Sequence, residues 1–332
     1  MKSSIRGTAV VAAVLLGVPI GCGRDKPAQP TTTQSSKVST GRATDESSVD
    51  VYRTHSSMTD PGKNAKRLAA IPNEPAAMVK CVQGLLMHGG LCWLYKHEPS
   101  KEQLGGESIH RAEAMLDRIA ALDDRALVEP RPLNKRLIGN CRTFAVLLTS
   151  VMREKGIPAR VRAGFATYTW GRGKFENHWI CEYYDSSAKR WIRVDAQIDD
   201  RQRDLMKIGF NTLDMPEGAF LAGGSGWQDC SNGKTKPEDY GLGGPKGWNP
   251  VGWGMVRGTL LTDIMALNKV EVLPWDTNEL GNKDQSALTE EEVKLLNRLA
   301  EVSISPDKDF KAPRSLFLGS PSCRMPPGWN PS

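Results

Sequence analysis

Histidine is scarce in this chain. There are five in 332 residues, and beyond His110 only His178 remains. Any histidine base in the larger C-terminal part must be that one. Charge is not concentrated in one sign either: 44 Lys+Arg stand against 38 Asp+Glu, a formal net charge of +6, with no long block of either kind. Nucleic-acid binding calls for a basic stripe or patch, so no nucleic-acid partner is expected. Tryptophan is nearly missing from the first half, where Trp93 stands alone; the other eight lie from Trp170 onward. Large rings need a core or a cleft, which places most of the packed structure in the second half. Two familiar site motifs are also lacking. Gly233-Lys234-Thr235 resembles the end of a phosphate-binding loop, but Gln228 stands where the first glycine belongs. Gly223-Gly224-Ser225-Gly226 approaches a serine-hydrolase elbow, but Trp227 replaces the closing glycine.

What is present begins with an export-like leader over residues 1–21. Lys2 and Arg6 precede an apolar run, Thr8–Ile20. A bilayer span needs about 20 residues, so the run suits a signal peptide rather than a membrane helix. Its end, Val18-Pro19-Ile20-Gly21-Cys22, resembles a bacterial lipobox, with Pro19 as a departure. That resemblance implies lipidation at Cys22 and an exported lipoprotein anchored to the cell membrane or outer membrane, each buried methylene contributing about 0.8 kcal/mol. Residues 22–65 are rich in Ser, Thr, Pro, Gln and Lys; such a segment buries too little surface to offset its ordering entropy and is expected to be a flexible tether.

A folded domain is expected over residues 66–302. Met78, Val79, Val82, Leu85 and Leu86 recur at helical spacing, as do Ala112, Met115, Leu116, Ile119 and Leu122. These predict two or three N-terminal helices. Asn140 is a good N-cap for a helix that carries Cys141 in its first turn and ends at Gly156-Ile157-Pro158. Three strands follow, over about 159–168, 178–184 and 190–198. Residues 209–258 read as long loops, 260–267 as a short helix, 289–302 as a final helix with a capping box, and 303–332 as a tail.

The last two strands make a hairpin. With a loop at Asp185–Ala188, Tyr184 pairs with Lys189, and counting outward sets His178 opposite Asp195. Directly paired residues share a face, with Cβ atoms about 4.5–5.5 Å apart; a slip of one residue would separate them. A thiol, a base and a carboxylate are thereby candidates for one site. A free thiol with a pKa near ~8.5 is mostly protonated at neutral pH. The helix N-terminus and a nearby His178 would favour its thiolate. Asp195 would hold the imidazole in the useful tautomer, and the Cys141 N–H could serve a developing oxyanion. Alone, a cysteine on an amphipathic helix is usually a small buried apolar residue; it is the set that argues for catalysis.

The run Gly139-Asn140-Cys141-Arg142, then Gly156-Ile157-Pro158-Ala159-Arg160, then His178-Trp179, then Trp191 and Val194-Asp195 resembles the transglutaminase-like (papain-like thiol) superfamily over about residues 128–200. The resemblance implies an α+β fold, with the cysteine helix packed on an antiparallel sheet. It implies Cys141 as nucleophile, His178 as general base and acid, and Asp195 as orienting group. The expected activity is thiol-dependent acyl transfer at an amide bond of a peptide or protein substrate, cell-envelope material being within reach of an exported enzyme. Hydrolysis is favoured over transamidation because nothing identifies an amine-acceptor site. The alternative is a non-catalytic binding or scaffold lipoprotein with the same fold.

No cofactor and no metal are expected. Cys81, His88, Cys92 and His97 fit no standard zinc spacing, and His55, His88, His97 and His110 read as surface or packing residues. Export permits disulfides, with Cys81–Cys92 and Cys230–Cys323 as candidate pairs. Setting Cys22 and Cys141 aside leaves five cysteines, these four and Cys181, so at least one thiol stays free.

Overall fold

A computed structural model of the protein describes residues 48–169, 174–243 and 250–331. The leader, Cys22, the tether up to residue 47, and Trp170 and Trp248 lie outside the described residues. In chain order the elements are α1 (Ala65–Leu68), α2 (Pro75–Leu85), β1 (Leu86–His88), α3 (Ala112–Leu122), β2 (Leu137–Gly139), α4 (Cys141–Glu154), β3 (Ala159–Ala166), β4 (Phe175–Asp185) and β5 (Arg190–Val194). They continue with α5 (Asp200–Met206), β6 (Phe220–Ala222), α6 (Gly223–Ser231), β7 (Tyr240–Gly241), α7 (Trp253–Leu267), α8 (Glu279–Asn282), α9 (Glu290–Ile304) and α10 (Ala312–Gly319). The main sheet is antiparallel in the order β5-β4-β3-β6, with β7 added to β4 in parallel. A small parallel pair, β1 with β2, sets His88 beside Gly139. The expected α+β architecture is what the chain adopts.

Helix α4 is the centre of the core. Asn140 caps it: its side chain accepts from the Thr143 N–H at 3.1 Å, and Thr143 Oγ1 accepts from the Asn140 N–H at 3.2 Å. Gly156, at φ 71°, reverses the chain after its last turn. Every residue of α4 except Glu154 is buried, as expected of a helix enclosed on all sides. Leu147, Leu148, Val151 and Met152 are fully enclosed, so truncating any one to alanine should cost about 2–5 kcal/mol. The Thr149 hydroxyl donates to Cys181 Sγ on β4 at 3.2 Å. From Thr149 back to Cys141 is about 12 Å of helix, and from Cys181 back to His178 is about 10 Å of strand. Contact at one end therefore brings the thiol alongside the histidine at the other.

Several expectations need correcting. The hairpin pairs Tyr184 with Trp191 and Asp185 with Arg190, two residues away from the assumed register. An even shift keeps His178 and Asp195 on one face, so the expected meeting survives. Strand β4 starts at Phe175, ahead of His178, and β5 stops at Val194, just before Asp195. Residues 48–64, assigned to the tether, instead pack on the domain: Tyr52 and Met58 are buried, and Tyr52 donates to the Leu267 carbonyl at 3.0 Å. The tail also packs, burying Phe317 and Cys323. The long loops expected over 209–258 contain β6, α6, β7 and the start of α7. Helix α6 was hidden by its glycines, which are poor helix formers. They are there for close approach: a Cβ on Gly223 would lie 2.6 Å from the Thr259 carbonyl oxygen of α7, and one on Gly224 would lie 2.3 Å from that of Ala300 in α9. The six described cysteines are all unpaired and buried, so neither candidate disulfide forms.

An ionic cluster crosses the sheet at Glu182 of β4. Its Oε2 accepts from Arg160 at 2.8 Å and Arg162 at 3.0 Å, and its Oε1 from Arg193 at 2.9 Å. Arg162 also grips Asp263 of α7 through two bonds, and Arg160 grips Asp307 in the same way. Burial alone would push the Glu182 carboxyl up, but the three guanidinium groups outweigh it and hold the group far below the usual range.

Candidate active site

Cys141, the first residue of α4, opens onto a cleft of about 720 Å³ lined also by His178, His88, Asn140, Gln197 and Trp275. As a first-turn residue its backbone N–H has no acceptor within the helix. The His178 imidazole donates through Nε2 to Asp195 Oδ2 at 2.8 Å. The Cys141 thiol lines the same cleft as His178 and acts on its ring through hydrogen bonding and charge. Burial opposes charging of His178, but Asp195 and Cys141 outweigh it and hold the imidazole well above the ordinary histidine range. The structure thus brings together all three residues singled out in the sequence.

Asp195 is fixed on every side. Its Oδ2 also accepts from the Tyr168 hydroxyl at 2.6 Å, and its Oδ1 from the Gln197 N–H at 2.9 Å. Its own N–H donates to the Thr212 carbonyl at 2.9 Å. Burial would raise its carboxyl, yet the His178 charge and these bonds keep it below the usual carboxylate range. Tyr168 is pushed well above the ordinary phenol by burial and by Asp195, so it stays a donor. Its ring meets His178 edge-on at 6.0 Å. The result is a carboxylate with no freedom to rotate and an imidazole held in one orientation.

Sequence reasoning does not find two residues of the site. Tyr168 sits past the end of β3, and nothing in its local sequence marks it. His88 was assigned to surface or packing, but it lines the cleft with Cys141 and His178. The signal was available only through pairing: β1 reads as the end of a helical run, and its register against β2 sets His88 beside the Gly139 that precedes the cap. Burial first, then the His178 charge, push its imidazole down to about 4. The remaining thiols are unreactive in character. Burial pushes Cys181 up to about 12 and Cys81 and Cys323 up to about 11.

Among the described residues no three His, Cys, Asp or Glu side chains are grouped to hold a metal ion. Cys81, His88, Cys92 and His97 have separate partners. Cys81 donates to the Leu127 carbonyl, Cys92 to that of His88, His97 bonds Gln103, and His88 accepts from Gly90. Two tryptophans stand exposed at the cleft: Trp93 is 59% and Trp275 47% accessible. Arg142, fully enclosed beside the thiol, donates to the carbonyls of Ile109, His110, Glu271 and Val272. It ties the N-terminus of α4 to two loops.

The sequence around the site is similar to known proteins. Residues 124–196 match the family model of the transglutaminase-like superfamily. A peptide-N(4)-(N-acetyl-beta-glucosaminyl)asparagine amidase from Eremothecium gossypii is 35% identical over 68 residues, which is 20% of this chain and 17% of that relative. This chain therefore matches less than a fifth of that relative's length. Among solved structures, a Cytophaga hutchinsonii protein proposed to be a cysteine protease is 17% identical over 52% of this chain and 45% of its own, with a TM-score of 0.28. That superposition is too loose to inform the fold. The matched segment begins ahead of the Cys141 cap and ends just after Asp195, so it spans the thiol, the imidazole and the carboxylate: over these residues the chain carries a transglutaminase-like domain.

Proposed function

We propose that this protein is a thiol-dependent amidase or acyltransferase that works through an acyl-enzyme on Cys141. The observation that carries the reading is the Asp195-bonded His178 sharing one cleft with Cys141 at a helix start. The Cys141 sulfur would attack the carbonyl carbon of an amide, and the C=O electron pair would move onto oxygen. His178, carrying the thiol proton, would pass it to the departing amine as the C–N bond breaks. Water or a second amine would then attack the thioester with His178 as base, giving hydrolysis or transamidation and returning the thiol. Asp195 stabilises the imidazolium and fixes its ring. A peptide or protein is the substrate class we favour, and hydrolysis the favoured outcome. The test uses p-nitrophenyl acetate as a generic acyl donor: the wild type should give a burst of p-nitrophenol and carry an acetyl group on Cys141 by peptide mapping, and Cys141→Ala should give neither. A burst that persists in Cys141→Ala would overturn the reading.

We also propose that the protein is exported and anchored through a lipid on Cys22. Lys2, Arg6, the apolar run Thr8–Ile20 and the Gly21-Cys22 junction support this reading. No helix among the described residues is long and apolar enough to cross a membrane. Labelling with a radioactive fatty acid should mark the wild type and not Cys22→Ala; equal labelling of both would exclude it.

A further inference from the structure

Acyl transfer through Cys141 needs donors for the oxygen that becomes negative, and the helix start offers one, the Cys141 N–H. His88 lines the same cleft and is the candidate for a second. Its Nδ1 accepts the Gly90 N–H at 3.2 Å. A ring nitrogen that accepts carries no proton, so the proton of the neutral imidazole sits on Nε2. No described hydrogen bond uses that Nε2, while the ring lines the same cleft as Cys141 and His178.

The position is built into the fold. Parallel pairing of β1 with β2 sets His88 level with Gly139, two residues before the thiol. The neighbouring Met87 turns the other way, into an apolar cluster with Cys92, Tyr95 and Ile138. The turn after the strand is fixed by Gly89 and Gly90: a Cβ on Gly89 would lie 3.2 Å from Ile138 Cγ2, and one on Gly90 would lie 3.3 Å from His88 Cε1. Trp93 closes the turn by donating its indole N–H to the Gly90 carbonyl at 3.1 Å. The ring is thus held by a backbone donor on one nitrogen and presents an N–H donor with the other.

From this geometry we infer that His88 is the side-chain donor to the oxyanion formed when Cys141 attacks an acyl carbon, acting with the Cys141 backbone N–H. The inference rests on the acyl-enzyme reading above. His88 stays neutral through the reaction: it gives a hydrogen bond and no proton, while His178 alone moves protons. Burial first, and then the positive charge on His178, keep His88 from charging, so the donor state holds across the neutral pH range. A neutral donor suits a site that already holds an imidazolium, because a second cation beside it would repel the charge that Asp195 stabilises.

The test compares two reagents on the same thiol in the full chain. Acylation by p-nitrophenyl acetate passes through an oxyanion; alkylation by iodoacetamide does not. His88→Leu should slow single-turnover acylation of Cys141 by about 10²–10³-fold, the loss typical of one oxyanion donor, and leave the alkylation rate within twofold. His88→Gln, which keeps an N–H donor, should recover part of the acylation rate. Equal acylation by wild type and His88→Leu, or an equal fall in both reactions, would overturn the inference and leave Cys141 as nucleophile. A wild type that is never acylated at Cys141 would instead overturn the reading on which it rests.

Discussion

The ionic cluster around Glu182 and the cleft around His178 are both polar, both buried and both built on β4. In the cluster, every arginine nitrogen of Arg160 and Arg162 meets a carboxylate or a carbonyl, and Glu182 spends both oxygens on three guanidinium groups. In the cleft, Asp195 is equally well satisfied, but its partners are not. The His178 ring shares its cleft with a thiol and, among the described residues, His88 Nε2 has no acceptor and Gln197 Oε1 is buried without a donor. Complete pairing makes a brace, whereas a satisfied anchor carrying unspent groups toward open space makes a site. Burial of charge by itself does not distinguish the two.

The largest expected effect separates them through Asp195. Asp195→Asn should lower acylation of Cys141 by about 10⁴-fold, by analogy with removal of the orienting carboxylate in other triads, with the fold retained in circular dichroism. A loss below tenfold would put Asp195 among the braces. Next comes Glu182. Glu182→Ala leaves Arg160 Nε and Arg162 Nη1 buried without their acceptor, although Asp307 and Asp263 still hold the two guanidinium groups, and should cost about 3–5 kcal/mol in urea unfolding, while the folded fraction keeps its acylation rate. A rate that falls with the stability intact would reverse the assignment.

Acidity should divide the two regions as well. Glu182 is depressed in the folded protein, so its contribution is present above the unfolded carboxyl value of about 4.3 and is lost as pH falls toward its folded value. His178 is raised, so its contribution is complete below about 6.5 and is lost as pH rises through its folded value. Melting temperatures from about pH 3 to about pH 10 should therefore show the acid limb flattened by Glu182→Gln and the alkaline limb by His178→Gln. Matching profiles for both variants would contradict the division. The smallest effect is at Tyr168. Tyr168→Phe removes one hydrogen bond to a charged acceptor, in the range of about 1.5–3 kcal/mol, and should slow acylation by roughly tenfold or somewhat more. No change would mean that Gln197 and His178 suffice to hold Asp195.

Much of this arrangement was legible in the residues. Asn140 announces the start of α4, Gly156 and Pro158 its end, and the spacing of His178 and Asp195 a hairpin on which both share a face. That last inference tolerated an error of two residues in register because side-chain direction repeats every two. The rest depended on contacts that no local pattern carries. The glycines of α6 read as loop because their helical use is set by the backbones of α7 and α9. Tyr52 and Met58 lie in a polar segment whose composition suggests a tether, yet these two apolar anchors and polar bonds such as Arg53 to Gly156 and Lys269 to Thr54 seat it on the domain. His88 was passed over because its role depends on strand pairing with Gly139, far away in sequence.

The most direct measurement is the rate of iodoacetamide alkylation of Cys141 in the intact chain at neutral pH, followed by peptide mapping. Cys141 should be labelled well ahead of the five other described cysteines, and His178→Ala should slow it by at least about tenfold by removing the base that favours the thiolate. Labelling of Cys141 no faster than that of the buried Cys181, or a rate indifferent to His178, would contradict the catalytic reading of Cys141.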